Sequence, residues 1–247
     1  MLNPNLIQKA DAYIISQLKK HPETHHNKTI FKQTPPFVTI SREACAGGTP
    51  VGEELVEYLN SNDYSKKDIK WALFDKNLIE KVIEDHKLPE VFKHYLNEQT
   101  ISGIQDTFER LMGLHPGISM LVSKTCNTIL SLASIGNVVI IGRGANILTK
   151  NLPGGFHIRL IAEQEWKINQ AETILHKSRK EAIKFIEEED IKRKEYVKKI
   201  FNKNVEDPLL YDMVIKTSRI TFSEAARIIG SRVIHYSENQ LRMLEVF

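Results

Sequence analysis

The 247-residue sequence predicts a three-layer α/β fold built on a five-stranded parallel sheet. Three observations carry that expectation. Five short apolar segments alternate with segments of helical periodicity. One of them, residues 137–142 (NVVIIG), has no charged interruption, as a strand covered on both faces requires. The ends of several such segments collect glycines and charged residues, and ligands of open α/β sheets lie outside the carboxyl ends of the strands.

The elements follow in order. Residues 3–20 place Leu6, Ala10, Ile14 and Leu18 on one side of a helix. A polar, proline-bearing stretch follows, so residues 1–35 read as an N-terminal helix and linker and residues 36–247 as the α/β domain. His25 and His26 have no acidic or thiol partner at ligand spacing, which argues against a metal there. Residues 36–41 form the first strand. Val51, Leu55, Val56 and Leu59 mark an amphipathic helix over 51–60. The second strand, 71–74, ends at Asp75, and a helix starts at Lys76. Residues 88–117 are irregular. An apolar helix over 118–135 closes at Gly136, and the strand 137–142 follows. Residues 156–162 form another strand. Two helices, 163–176 and the strongly charged 180–201, lead to a last strand at 211–217. The final helix opens with Thr221 and Glu224 at capping-box spacing.

Composition narrows the functional classes. The chain is 41% hydrophobic and 26% charged, with a formal charge of +3, so net charge gives no nucleic-acid signal. Lysines and arginines between 177 and 203 make only a weak case for an RNA-binding stripe. No apolar run approaches the roughly 18–20 residues of a membrane helix. The first residues lack a positive start followed by an apolar core, so no signal peptide is read. Two cysteines with unrelated surroundings make no disulfide framework, and a reduced, cytoplasmic protein is expected.

The loop after the first strand invites comparison with G-x-x-x-x-G-K-[ST], whose backbone N–H groups cradle phosphates. Here the stretch runs from Arg42 to Thr49. Gly47 stands at the second glycine and Thr49 at the hydroxyl. Gly48 stands where lysine is expected, and Arg42 where the first glycine is expected. Arg42 is expected to supply the missing positive charge, since its fork suits phosphate oxygens. The alternative is a plain glycine turn joining strand and helix.

Together with later stretches, this loop resembles the cytidylate kinase-like family. That family reads I-S-R-E, an aromatic, then G-S-G-G, and also lacks the lysine. Residues 40–48 match at both ends, with Ala44 in place of the aromatic and Cys45 in place of a glycine. Phe74-Asp75-Lys76 with Leu78-Ile79, the run Gly136–Ala145, and Asp190–Tyr196 followed by Asp207-Pro208 and Leu210-Tyr211-Asp212 extend the resemblance to the C-terminus.

The resemblance implies a P-loop kinase fold with a helical acceptor-binding insertion at about 86–117 and a lid at about 178–205. It implies transfer of the γ-phosphoryl of ATP, with Mg2+, to a nucleoside monophosphate, CMP or dCMP. Ser41, Arg42, Cys45, Ala46, Gly47, Gly48 and Thr49 would hold the donor phosphates, with the Thr49 hydroxyl supporting the metal. Arg143 would hold the acceptor, and Asp75 would position it or the magnesium shell. Arg193, Lys192 and Arg42 would stabilise the transferring charge. Partners would be small-molecule nucleotides, with neither nucleic acid nor membrane.

Each role has a plainer alternative. Arg143 can bridge to hold the next loop, Asp75 can cap the following helix, and Lys192 and Arg193 can pair with Glu188 and Glu189 on a solvated face. Two other functional expectations stand beside the kinase. One is a nucleotide-binding or partner-binding module that has lost catalysis, which Ala44 and Cys45 favour. The other is a kinase for another small acceptor, with the difference in residues 86–117.

Overall fold

The computed structural model describes residues 4–19, 35–62, 70–85 and 120–245. The expected insertion at 86–117 and most of the expected linker lie outside these residues. The chain forms α1 (Pro4–Lys19), β1 (Phe37–Arg42), α2 (Gly48–Asn62), β2 (Ala72–Phe74) and α3 (Lys76–Asp85). After residue 120 come α4 (Met120–Ile135), β3 (Val138–Ile141), α5 (Ala145–Leu148) and β4 (Gly155–Ile161). Then follow α6 (Gln164–Leu175), α7 (Arg179–Phe201), a 3-10 turn (Pro208–Leu210), β5 (Met213–Lys216) and α8 (Phe222–Glu245).

The five strands form one sheet in the order β2-β3-β1-β4-β5, and every pairing is parallel. This is the architecture expected from the apolar segments. Ile40 lies opposite Ile141, and Ser41 opposite Arg159, so the carboxyl ends of β1, β3 and β4 share one edge.

Alternation along each strand divides the core in two. One face carries Phe37, Phe74, Val138 and Ile140, covered by α1, α3 and α4. The other carries Val38, Ile40, Val139, Ile141, Ile158 and Leu160, covered by α2 and α8. The central strand β3 is apolar throughout because both of its faces are dry.

Helix α1 belongs to the first of these layers. Ala10, Tyr13 and Ile14 are buried in it. The Tyr13 hydroxyl donates to the Gly136 carbonyl at 2.6 Å, and its ring meets Phe74 edge-on at 5.8 Å. Burial alone pushes this phenol's pKa well up.

Two helix limits differ from expectation. Helix α5 is a single turn, too short for a period of 3.6 to register. Helix α8 runs on to Glu245, beyond the expected 233, and still buries Ser237. Its start is as read: Glu224 accepts from the Thr221 N–H at 2.8 Å, and Thr221 accepts from the Glu224 N–H at 3.1 Å. No helix among the described residues is long and apolar enough to cross a membrane.

The chain leaves β1 toward α2 on one face and β3 toward α5 on the other. Neighbouring strands whose connections diverge open a crevice between them, where ligands of such sheets bind. Arg42 and Arg143 stand at its two lips.

Candidate active site

The loop after β1 is held from several sides. Its first residue beyond the strand, Glu43, donates its N–H to the Leu160 carbonyl at 3.0 Å. The Glu43 carboxylate accepts from the Ala162 N–H and the Lys167 ammonium, both at 3.2 Å. Lys167, on α6, is only 7% exposed, so its charge needs such partners; Asp190 is the second, at 3.4 Å. Cys45 takes φ 57 and Gly47 φ 81. Cys45 thus holds a left-handed position, where a side chain costs roughly 1–2 kcal/mol. The Ala46 carbonyl accepts from the Thr217 hydroxyl at 3.1 Å. Helix α2 then starts at Gly48 and turns its unpaired N–H groups and positive dipole end toward the loop.

Ala44 has a packing reason for its size. It is buried with Ile168 and Ala171 of α6 and Ala182 and Ile186 of α7. An aromatic there would push these helices away. Its backbone N–H donates to Asp190 Oδ1 of α7 at 2.6 Å.

Arg42 occupies the space a loop lysine would use. A Cβ added to Gly48 would fall 2.9 Å from the Arg42 Cγ and 3.1 Å from its Cδ. A Cβ added to Gly142 would fall 2.3 Å from its Nη1. The side chain therefore lies across Gly48 and ends over the carboxyl end of β3. Its pKa is pushed down to about 10, by burial first and then by Arg193; Asp75 opposes and Arg143 adds to the drop. It stays charged at neutral pH. Three arginines, Asp75 and Glu189 thus share one field.

Arg143 sits in an unusual turn. Gly142, Arg143 and Gly144 take φ 82, 56 and 68 in succession. For arginine this is strained, and strain of this kind clusters at functional positions. Its guanidinium pairs with Glu80 of α3 and lies 5.5 Å over the Tyr196 ring. Its buried Nε has no hydrogen-bond partner among the described residues. Burial pushes the Tyr196 phenol up to about 12. Asp75 accepts from the Leu78 N–H at 2.9 Å and so caps α3, while its charge reaches Arg42.

On α7 the two expected cations part company. Arg193 faces inward, with Nη1 3.4 Å from the Arg42 carbonyl and 3.7 Å from Asp190. The Lys192 side chain is 65% exposed and binds Glu189 at 3.1 Å. Thr49 is exposed in the first turn of α2. Ser41 points to the other side of the sheet edge, where its hydroxyl accepts from Arg159 Nη1 at 2.9 Å.

Sequence reasoning passed over Glu43, Lys167, Asp190, Arg159 and Tyr211. For Arg159 the signal was present: it interrupts the apolar strand FHIRLIA, as Arg143 ends NVVIIG. For Asp190 and Lys167 nothing in a charged helix distinguishes the buried member.

Among the described residues no three His, Cys, Asp or Glu side chains cluster as a metal cage. The loop suits a polyphosphate instead, with left-handed backbone, a helix N-terminus and two arginines around it. A magnesium ion carried by such a ligand needs few protein oxygens, and the exposed Thr49 hydroxyl fits one place.

Comparison with known proteins fits this arrangement. The model of the cytidylate kinase-like family matches residues 37–219. Comparison with curated proteins gave no match. Among solved structures, an uncharacterized protein from Eubacterium ventriosum is similar at 19% identity and a TM-score of 0.59, over 80% of this chain and 98% of that one. A shikimate kinase from Bacteroides thetaiotaomicron shows 14% identity and a TM-score of 0.44, over 80% of this chain and 98% of that one. A shikimate kinase from Acinetobacter baumannii, solved with shikimate, shows 16% identity and a TM-score of 0.40, over 82% of this chain and 94% of that one. The chain belongs to the cytidylate kinase-like family and has the three-layer fold of a P-loop kinase.

Proposed function

We propose that the protein transfers the γ-phosphoryl of ATP to a nucleoside monophosphate, CMP or dCMP, with Mg2+ on the donor phosphates. One observation carries the reading. The Arg42 side chain crosses Gly48 at the donor loop and ends at Gly142, beside Arg143 on the acceptor lip. A fixed cation between donor and acceptor meets the main demand of phosphoryl transfer, which is positioning and charge stabilisation. Loop N–H groups from Cys45 to Thr49 would hold the donor. Arg193 would reach the transferring group from α7, and Lys192 would follow only if that helix turns. Arg143 would orient the acceptor. No general base is needed, because a phosphate oxygen is already nucleophilic at neutral pH.

The test is coupled ATP turnover with Mg2+ against CMP, dCMP, UMP, AMP and GMP, with Arg143→Ala as control. Pyrimidine-selective turnover lost in the control supports the reading. Absence of turnover from folded protein would refute it.

A second reading has its own observation. The Ala44 N–H is occupied by Asp190, and Cys45 holds a strained position. Both suit a module that binds nucleotide without turning it over. ATP binding without transfer to any acceptor would favour it.

A further inference from the structure

Arg159 on β4 is only 5% exposed. Among the described residues its guanidinium has no carboxylate partner. Its contacts are the Ser41 hydroxyl at 2.9 Å and the Tyr211 ring, with the guanidinium carbon 5.7 Å from the ring centroid. Glu206 feels its charge, but that carboxyl is held down first by Lys194, its partner at 2.7 Å. A buried arginine without an anion is costly, and folds retain one where an anion arrives.

The surroundings are polar and held by hydrogen bonds. Ser41 and Arg159 stand side by side at the carboxyl edge of the sheet. The Tyr211 hydroxyl donates to the Val205 carbonyl at 2.7 Å and lies 3.3 Å from Ser41 Oγ. Asn146 of α5 donates to the Leu210 carbonyl at 3.3 Å and pins the same turn. Arg159 and Ser41 therefore sit on the face opposite α2, and Ser41 directly precedes Arg42 in the chain. Arg143, the other acceptor-side arginine, already has Glu80 and the Tyr196 ring.

We infer that Arg159, with Ser41 and Tyr211, forms the subsite that receives the phosphate monoester of the acceptor. This rests on the phosphotransfer reading above. It places the acceptor's phosphate on the α5 side of the sheet edge, with Arg42 between it and the donor loop. It also makes the enzyme selective for phosphorylated acceptors over their neutral counterparts.

The experiment uses the full chain with Arg159→Gln and Arg159→Lys. Turnover would be measured against CMP and the other monophosphates, and binding of CMP and cytidine by calorimetry with a non-hydrolysable ATP analogue present. Arg159→Gln should raise the acceptor KM about tenfold or more. The KM for ATP should stay within about twofold, cytidine binding should not change, and Arg159→Lys should fall between. An unchanged acceptor KM in folded Arg159→Gln would overturn the inference, as would an equal loss of CMP and cytidine binding. If the wild-type chain turns over no acceptor, the phosphotransfer reading has failed separately. Orthophosphate then probes the subsite, as thermal stabilisation over chloride at matched ionic strength with the ATP analogue saturating. Stabilisation lost in Arg159→Gln upholds the anion site, and equal stabilisation in both proteins, or none, refutes it.

Discussion

Asp190 of α7 accepts a hydrogen bond from the backbone N–H of Ala44 at 2.6 Å. A carboxylate of α7 thus holds a backbone donor of the loop after β1, and a polyphosphate bound there as proposed would compete with it for that N–H. Asp190→Ala removes the competitor and a negative charge from the loop. Lys167 keeps Glu43 as partner, so the loop start stays anchored. ATP affinity should rise roughly three- to tenfold, the scale of one net hydrogen bond. Calorimetry with a non-hydrolysable analogue reads it. Weaker binding would mean that Asp190 maintains the loop's shape rather than guarding it.

Arg42 and Gly48 answer the question of the missing lysine. Because the arginine stem lies on Gly48, Gly48→Lys does not restore a standard loop. The new Cβ would displace Arg42 from its place over Gly142. ATP turnover should fall at least about tenfold, comparable to losing a charge-assisted contact, and Arg42→Ala should fall similarly. The double variant should cost little more than either alone, since both remove one interaction. Gain of turnover in Gly48→Lys would contradict this account.

Cys45 gives two measurable consequences. Burial pushes its thiol pKa up; Arg193 and Lys167 pull against that, and Asp190 adds to it. Less thiolate is present at neutral pH, so iodoacetamide should modify Cys45 more slowly than free cysteine at pH 7.5. Cys126, buried and pushed up to about 12, should not react until the chain unfolds. Peptide mass spectrometry separates the two. Cys45→Gly should also stabilise the fold by about 0.5–1 kcal/mol, because relief of about 1–2 kcal/mol at positive φ exceeds the entropy cost of glycine. A denaturant midpoint that does not rise would argue against strain.

His157 links stability to pH. Its Nδ1 lies 2.8 Å from the Thr39 hydroxyl inside the sheet, and burial lowers its pKa against the opposing charge of Asp212. The unfolded chain therefore binds this proton more readily than the folded one. The contribution is fully present above the unfolded value of about 6.5 and is lost as pH falls below it. Denaturation of His157→Gln should show a shallower decline than wild type between pH 7.5 and 5. Equal slopes would remove His157 as the cause.

The sheet was legible because its signal is collective. Five apolar runs bounded by glycine, proline or aspartate mark strands with little help from context, as Val138–Ile141 does. The site was legible only where chemistry interrupts such a run. Arg42 and Arg143 stood out at strand ends. Arg159 carried the same signal in mid-strand, but nothing local says that its side chain reaches the edge. On α7 the pattern misled: Lys192 and Arg193 look alike in sequence, and only tertiary packing turns one toward Arg42 and leaves the other beside Glu189. Asp190 looked like one more solvated acid because its partner is a backbone N–H 146 residues away.

Tyr13 and Val233 lie beyond opposite ends of the stretch, 37–219, by which kinship is recognised. One sits under Phe74 and the other against the sheet's second face. The signature of descent is thus shorter than the piece that closes on itself. A gene trimmed to the signature would keep the arginines discussed here and strip one covering helix from each face of the sheet. The residues that make this protein recognisable depend, for a dry floor, on residues that do not.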